Sequence, residues 1–280
     1  TKEREGKELT EMADMHNSGA VGFTDGLKAQ EQSGLILRAL QYVKQFNGLV
    51  LDYPEDSYLS EHALMHEGHT STNLGLKGVP EIAESLAVYR NIALTSYTGS
   101  RLHFAHLSSA SGVRLVKKAK KEGLGITASV SSFHLLFDDS SLNDFDVNYK
   151  VRPVLRGKTD RKALIRGLLD GTIDAVCSNH MPHNKEAKDI EFDYAASGVI
   201  NLETSFSLLR MALGDEFDPN VLFDILINNP RKILGIDVPK VMAGELADLT
   251  VFDPEHKWIY SKENKRSKSS NTPMLGSELT

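Results

Sequence analysis

Short apolar runs alternate with longer segments of helical periodicity along most of the chain. The runs at 20–25, 49–53, 102–106, 125–130 and 172–177 are bounded by polar residues, glycine or proline, a pattern typical of buried strands. Between them, the segments at 7–17, 35–46, 79–97, 109–121 and 160–169 carry apolar residues at helical spacing. Pro80 is expected in the first turn of the third of these helices, where a missing N–H costs nothing.

This alternation predicts an α/β fold with a parallel sheet. Parallel neighbours need a connection of a dozen or more residues, and the predicted helices supply it in five strand–helix units. After Glu203 the pattern predicts two or three helices without intervening strands, ending near Gly235. The segments 247–254 and 257–260 then alternate as antiparallel strands do. We therefore expect a barrel portion at 1–239 and part of a separate small β module at 240–280.

Composition and charge narrow the function classes. With 280 residues, 40% hydrophobic and 25% charged, the chain fits one large domain, or one domain plus an appendage. The net charge of -6 and scattered basic residues argue against a nucleic-acid partner. No segment reaches the roughly 18 apolar residues that a membrane span needs. A single cysteine, Cys177, rules out an internal disulfide and favours a cytoplasmic location.

Polar side chains stand at the carboxyl end of each predicted strand. In a barrel of parallel strands these ends meet at one mouth, where catalytic groups lie. A carboxylate and several imidazoles at such a mouth favour a divalent metal or acid–base chemistry. The residues are Asp25, Tyr53 with Glu55 and Asp56, His106, His134, and Asn179 with His180 and His183.

Other candidates carry weaker signals. His103 precedes His106 by three residues, so strand alternation predicts that it points to the opposite face and packs there. His62, His66 and His69 lack the spacing of a helical zinc motif and have no cysteine companions. Cys177 has no base partner near it in sequence, so a nucleophilic role is disfavoured.

Several motifs, in their order and spacing, give the chain a family resemblance from Gly6 to its last residue. They are GAVGFTD at 19–25, MHEG at 65–68, LHFAHLS at 102–108, YKVRP at 149–153, NHMPH at 179–183, LET at 202–204, NPRK at 229–232 and NTP at 271–273. In these motifs the chain resembles the dihydroorotases that occur alone or in complexes with aspartate transcarbamoylase, within the amidohydrolase superfamily. The resemblance implies a (β/α)8 TIM barrel, of which strands four to eight are present, with part of a small β-sandwich module.

The resemblance also implies a zinc site and a set of roles. Family members activate a zinc-bound water that attacks the amide carbon of a cyclic substrate, while an aspartate moves the proton. By position, Asp25 corresponds to the acidic metal ligand of the fourth strand and His106 to the histidine ligand of the sixth. His183 corresponds to a substrate-side histidine after the eighth strand.

At several positions the chain departs from the family pattern. Tyr53 replaces a ligand histidine, and Asn179 replaces the catalytic aspartate. Arg152 stands where an asparagine holds the substrate carboxylate, a role that a guanidinium can also fill. Phe133 occupies another position where a histidine is usual. An amide cannot accept the proton of a metal-bound water, and a phenol is normally protonated at neutral pH.

Five strands cannot close a barrel, so we expect the sequence to be a portion of a longer protein. The alternative is that a partner chain supplies the missing strands.

Three functions are compatible with the sequence. The favoured function is that of a non-catalytic structural or regulatory homologue, which forms homo-oligomers and has aspartate transcarbamoylase as its partner. The second is an active zinc-dependent dihydroorotase or a related cyclic amidohydrolase, such as an allantoinase or dihydropyrimidinase. The third is an α/β domain without a ligand.

Overall fold

The computed structural model describes residues 1–247 and 249–280. The helices are α1 (Met12–Asn17), α2 (Ser33–Lys44), α3 (His69–Leu74), α4 (Glu81–Thr98), α5 (Ala110–Lys121), α6 (Ser132–Leu136), α7 (Lys158–Leu169), α8 (Ser205–Leu213), α9 (Pro219–Phe223) and α10 (Asn229–Leu234). The strands are β1 (Leu49–Asp52), β2 (Met65–His66), β3 (Gly78–Val79), β4 (Arg101–Phe104), β5 (Ile126–Ser131), β6 (Ala175–Cys177), β7 (Trp258–Ile259) and β8 (Glu278–Leu279).

The main sheet is parallel and keeps the order of the chain, β1-β4-β5-β6. Phe23 adds a single parallel bridge to Val50, on the side of β1 away from β4. The segment predicted as a strand at 20–25 forms only one bridge. That bridge lies next to β1, as expected for the preceding strand of a barrel. Each strand of this sheet lies beside the next strand of the same sheet along the chain, as successive strands of a barrel do, while β2 and β3 pair separately.

The helices begin and end where the local sequence favours it. Pro80 is the residue before α4 rather than part of its first turn, because its ψ of 147° is extended. Gly99 ends α4 with a φ of +62°, a conformation that costs glycine little. Ser109 caps α5 by accepting a hydrogen bond from the N–H of Gly112.

The two faces of the main sheet differ in polarity. Leu102, Phe104 and Val130 point toward the helices and join a large apolar cluster with α5 and α7. The intervening residues point to the other side and are mostly polar, including His103 and Ser129. Polar groups therefore line the barrel side of β4 and β5, whereas Leu49 and Ala175 form a small apolar cluster with Ile233.

The carboxyl-terminal segment contributes one antiparallel pair. Trp258 pairs with Leu279 and Ile259 with Glu278, which agrees with the strand predicted at 257–260. The described residues of 247–254 form no strand, and Asp248 lies outside the described residues. Leu249 and Val251 are exposed there, so no partner strand covers the apolar side chains of the predicted alternation. The division of the chain at 239 and 240 stays a prediction.

A buried carboxylate fixes the start of α5 against α4. Glu84 accepts hydrogen bonds from the backbone N–H of Ser108 at 3.0 Å and of Ser109 at 2.9 Å, and from both serine hydroxyls. Gly112 leaves room for it, since a Cβ there would lie 2.5 Å from the Glu84 Oε1. Because Ser108 follows shortly after His106, this contact also sets where the chain leaves β4.

None of the helices that the structure describes is long and apolar enough to cross a membrane.

Replacing Glu84 with Ala should lower the free energy of unfolding by about 3 kcal/mol or more, because two buried N–H groups lose their acceptor. Urea unfolding measures this loss. The matched control is Glu122→Gln, which affects an exposed pair with Lys118 and should change stability by less than about 0.5 kcal/mol. Equal effects of the two substitutions would contradict the role given to Glu84.

Candidate active site at the carboxyl ends of the strands

Asp25 and Tyr53 lie on the same cavity at the strand ends. The cavity has a volume of about 220 Å³ and is also lined by Met12, Phe23 and Asp52. The Asp25 carboxylate accepts a hydrogen bond from the hydroxyl of Thr1 at 2.6 Å. His106 and Asn179 are not among the residues that line this cavity.

Tyr53, which is buried, takes part in a half-buried hydrogen-bonded network. Its hydroxyl donates to Glu55 Oε2 at 2.6 Å, and the Arg152 guanidinium donates to Glu55 Oε1 at 3.0 Å. A second Arg152 nitrogen donates to the carbonyl of Ala63 at 2.5 Å. Burial, reinforced by the Glu55 charge, raises the pKa of Tyr53 well above its usual value. The phenol therefore remains protonated and acts as a donor.

Asn179 joins the same network. Its side-chain N–H donates to the backbone carbonyl of Arg152 at 2.9 Å. The residue has a φ of +48°, a left-handed conformation that asparagine adopts more readily than most residues. Glu55 thus links Tyr53 to Arg152, and the Arg152 backbone carbonyl links Arg152 to Asn179. Tyr53, Arg152 and Asn179 are all positions where the sequence departs from the family pattern.

His106 pairs with Cys177 across the ends of β4 and β6. Its Nδ1 lies 3.1 Å from the Cys177 Sγ, which also donates to the carbonyl of Val130 at 3.4 Å. Burial lowers the pKa of His106 to about 4 and raises the pKa of Cys177 to about 12. Both groups are therefore neutral near pH 7, whereas a nucleophilic cysteine needs a lowered pKa. This supports the prediction that Cys177 is not a nucleophile.

His103 lies close to His106, so the prediction that the two occupy opposite sides is wrong. The His103 ring nitrogens contact the hydroxyls of Thr127 at 2.9 Å and Ser129 at 3.0 Å, and the backbone N–H of His106 donates to the same Ser129 hydroxyl at 3.5 Å. Strand alternation fails because β4 ends at Phe104 and His106 has a φ of +58°. Burial lowers the pKa of His103 to about 4.

His134 and His183 have separate partners. The His134 Nε2 donates to the carbonyl of Pro153 at 2.8 Å, and burial lowers the pKa of His134 to about 4. The His183 Nε2 donates to the carbonyl of Ser197 at 3.0 Å. His183 lines a second cavity, of about 760 Å³, together with Lys188 and Asn271. The structure therefore does not bring His183 to the cavity of Asp25 and Tyr53.

The histidines of the 62–69 loop have local partners of their own. His62 is exposed beside Glu61, His66 lies 3.5 Å from the Arg156 guanidinium, and His69 contacts Asn73. These contacts give the three side chains no shared function.

Two functional features had no clear signal in the sequence. Glu55 follows a predicted strand, but nothing in the chain indicated that it would join Tyr53 to Arg152, 97 residues away. The pairing of His106 with Cys177 joins residues 71 positions apart, and neither has a spacing motif that predicts it.

The family resemblance implies a zinc site, which requires several ligand side chains grouped around one point. Among residues 1–247 and 249–280, no group of three or more His, Cys, Asp or Glu side chains is placed to hold a metal ion. The His106 Nδ1 contacts the Cys177 thiol, the Tyr53 hydroxyl is hydrogen-bonded to Glu55, and the Asn179 amide is hydrogen-bonded to the Arg152 carbonyl. The residues that this chain has at the family's site positions are therefore not arranged to bind a zinc ion together.

Lowering the pH from about 7.5 to about 5 should destabilise the protein. His103, His106 and His134 have a pKa of about 4 in the folded protein and about 6.5 when unfolded, so the unfolded chain binds more protons between these values. Their contribution is fully present above about pH 6.5 and is lost as the pH falls toward about 4. Burial raises the pKa of Asp52 to about 6, so this residue stabilises the protein as the pH falls. It is one group set against three histidines.

Urea unfolding at several pH values measures this dependence. His103→Gln should reduce the slope of stability against pH, while the control His256→Gln, at an exposed position, should leave it unchanged. A stability that is constant or rises toward pH 5 would contradict the neutral state of the buried histidines.

Comparison with known proteins identifies relatives along nearly the whole chain. The family model described as Dihydro-orotase-like matches residues 1–111. A curated protein named dihydroorotase from Syntrophobacter fumaroxidans is 42% identical over 273 residues, which cover 97% of this chain and 62% of the relative. One of the same name from Carboxydothermus hydrogenoformans is 40% identical over 285 residues, covering 100% of this chain and 66% of the relative. The chain thus spans slightly less than two thirds of the length of these relatives.

Solved structures show the same fold at lower sequence identity. The L-hydantoinase (dihydropyrimidinase) from Arthrobacter aurescens superposes with a TM-score of 0.83 at 23% identity, covering 96% of this chain and 64% of the hydantoinase. The D-hydantoinase (dihydropyrimidinase) from Thermus sp. gives a TM-score of 0.80 at 22% identity, covering 98% and 64%. These similarities support the predicted TIM-barrel fold, of which this chain forms a part. The identity to the curated relatives and the match to the family model show that the chain belongs to the dihydroorotase family.

Proposed function

We propose that this chain is part of a non-catalytic member of the dihydroorotase family, with a structural or regulatory role. The observation that carries the proposal is the network of Tyr53, Glu55, Arg152 and Asn179. Three residues that depart from the family pattern are joined in it. A site that retained hydrolysis would need these positions to face water and substrate.

The chemistry of the replaced positions supports the same conclusion. Asn179 cannot accept a proton from water, and its N–H is committed to the Arg152 carbonyl. The loss of a general base alone costs a factor of about 10² to 10⁴ in rate. Tyr53 is held as a neutral donor, so it offers no free phenolate to a metal.

An active zinc-dependent dihydroorotase, or a related cyclic amidohydrolase such as an allantoinase or dihydropyrimidinase, is the second candidate. The low pKa of His106 favours it, because a neutral imidazole is the form that binds metals. This function would require metal ligands beyond the positions of Asp25, Tyr53 and Asn179. It would also require another residue to supply the base.

The remaining expectations belong to this proposal. Aspartate transcarbamoylase is the expected partner, and homo-oligomers and a cytoplasmic location are expected as well. The barrel portion at 1–239 would carry the strand-end network, and 240–280 would supply part of the β-sandwich module. Arg152 and His183 would then contact neighbouring protein groups instead of a substrate.

The intact protein that carries this chain should contain far less than one zinc ion per chain and should not open the dihydroorotate ring. Elemental analysis of protein purified from zinc-supplemented medium and a spectrophotometric ring-opening assay measure the two quantities. A matched preparation of an active dihydroorotase is the control for both measurements. Stoichiometric zinc together with enzymatic turnover would overturn the proposal.

Replacing Asn179 with Asp should destabilise the protein by about 1–3 kcal/mol, because a carboxylate oxygen would then face the Arg152 carbonyl. The control is Asn184→Asp, an exposed position whose side chain accepts a hydrogen bond from the Ala187 N–H and can keep doing so. Urea unfolding compares the two variants. If Asn179→Asp, alone or with Tyr53→His, retained full stability and gained ring-opening activity, Asn179 would face a working active site and the network interpretation would fail.

A further inference from the structure

The second cavity lies beside the loop that follows β6. Its volume of about 760 Å³ is within the range of about 300–1,000 Å³ that is typical of small-ligand sites. Three segments line it, at 147–148, 182–189 and 268–271. We call it the lysine cavity, because its lining includes Lys185, Lys188 and Lys268. None of the four residues of the strand-end network lines it.

A buried asparagine fixes the 268–271 segment against the loop after β6. The Asn271 side-chain amide donates to the carbonyls of Met181 at 2.9 Å and Gly198 at 3.1 Å, and its oxygen accepts from the His183 N–H at 3.2 Å. Asn271 itself is buried. Because these hydrogen bonds hold two walls of the lysine cavity together, the cavity is largely preformed, as small-ligand sites usually are.

A buried ammonium group ties the third wall to the same loop. Lys188 donates to the carbonyls of Val147 at 2.5 Å, Ala196 at 2.8 Å and Gly198 at 3.1 Å, which uses all three of its N–H groups. These three acceptors are uncharged, so they satisfy the hydrogen bonds of Lys188 without neutralising its charge. Burial, with the nearby Lys150 charge, lowers the pKa of Lys188 to about 8, so the group is still mostly protonated near pH 7.

The charges that line the cavity differ in their exposure. The two carboxylates of the lining, Glu186 and Asp189, are exposed, and Asp189 lies 3.5 Å from the ammonium of Lys185, which is exposed as well. Lys188, in contrast, is only 6% exposed. Because a buried charge is screened less than an exposed one, Lys188 gives the inner end of the cavity a positive potential that favours an anion.

The 268–271 segment adds donors that no protein group uses. Within residues 1–247 and 249–280, the Lys268 ammonium, the hydroxyls of Ser269 and Ser270 and the side-chain amide of Asn148 have no protein hydrogen-bond partner. A carboxylate presents two acceptor oxygens, whereas a phosphate ester presents three and carries more charge. This set of one ammonium, two hydroxyls and one amide therefore suits a phosphate better than a carboxylate.

We propose that the lysine cavity binds a small phosphate ester. The phosphate oxygens accept hydrogen bonds from the Lys268 ammonium and the two serine hydroxyls that follow it, and the buried charge of Lys188 attracts the anion without donating to it. Val147 and Pro182 offer apolar contact to the organic part of the ester. The site shares no residue with the strand-end network, so it does not depend on whether the strand ends are catalytic.

Isothermal titration calorimetry of the intact protein that carries this chain tests the proposal. The probe is ribose 5-phosphate, and ribose is the matched sugar without the phosphate. We expect ribose 5-phosphate to bind, ribose not to bind, and inorganic phosphate to compete more strongly than acetate. If ribose 5-phosphate did not bind, if ribose bound equally well, or if acetate competed as strongly as phosphate, the proposal would be overturned.

Charge variants in the same titration locate the site. Lys268→Glu should weaken binding of ribose 5-phosphate about tenfold or more, because a charged donor is replaced by a like charge, whereas Lys268→Arg should keep most of the affinity. The matched control is Lys262→Glu, at an exposed position of the neighbouring chain that does not line the cavity, and it should bind as the parent does. Equal losses in Lys268→Glu and Lys262→Glu would mean that the probe responds to general surface charge, and the lysine cavity would not be the site.

Discussion

The Glu55 carboxylate is the group on which the arrangement of the strand ends depends. It accepts hydrogen bonds from Tyr53 after β1 and from Arg152 in the segment before α7, and the backbone of Arg152 in turn holds Asn179 after β6. The side chains of Glu55 and Arg152 are exposed by only 14% and 28%. A largely buried carboxylate is costly unless each charge and donor is satisfied, and here the ion pair and the phenol meet that condition. The same contacts give the Tyr53 hydroxyl, the Glu55 carboxylate and the Asn179 amide each a protein partner.

Two histidines and a cysteine are buried in uncharged form at the main sheet. His103 rests between the hydroxyls of Thr127 and Ser129, and Cys177 contacts His106. These groups are buried and uncharged near pH 7, because burial lowers the pKa of both imidazoles and raises the pKa of the thiol. These side chains are therefore polar without carrying a charge. Neighbouring protein groups supply their hydrogen-bond partners.

Periodicity predicted the order of the main elements well, because burial on the sheet and the helical layer imposes a regular spacing on the residues. The helices α2, α5 and α7 and the strands β1, β4 and β5 lie close to their predicted positions. The errors occur where tertiary contacts override local pattern. The run at 20–25 has only one bridge, and His106 turns out of the strand with a positive φ. Site partners such as Glu55 with Arg152 depend on contacts across 97 residues, which a single sequence does not encode as a pattern.

The strand ends and the helical layer are physically separate parts of the barrel. Residues at the strand ends point to the mouth, whereas Leu86, Tyr89 and Tyr97 lie on the outside of α4, which packs inward through Ala83, Ala87 and Val88. Substitutions such as Tyr53 and Asn179 can therefore alter the chemistry of the mouth without disturbing the outer surface. In the helical layer, the buried Glu84 ties α4 to the start of α5. Separate contacts thus hold the two parts of the barrel, the mouth through Glu55 and the helical layer through Glu84.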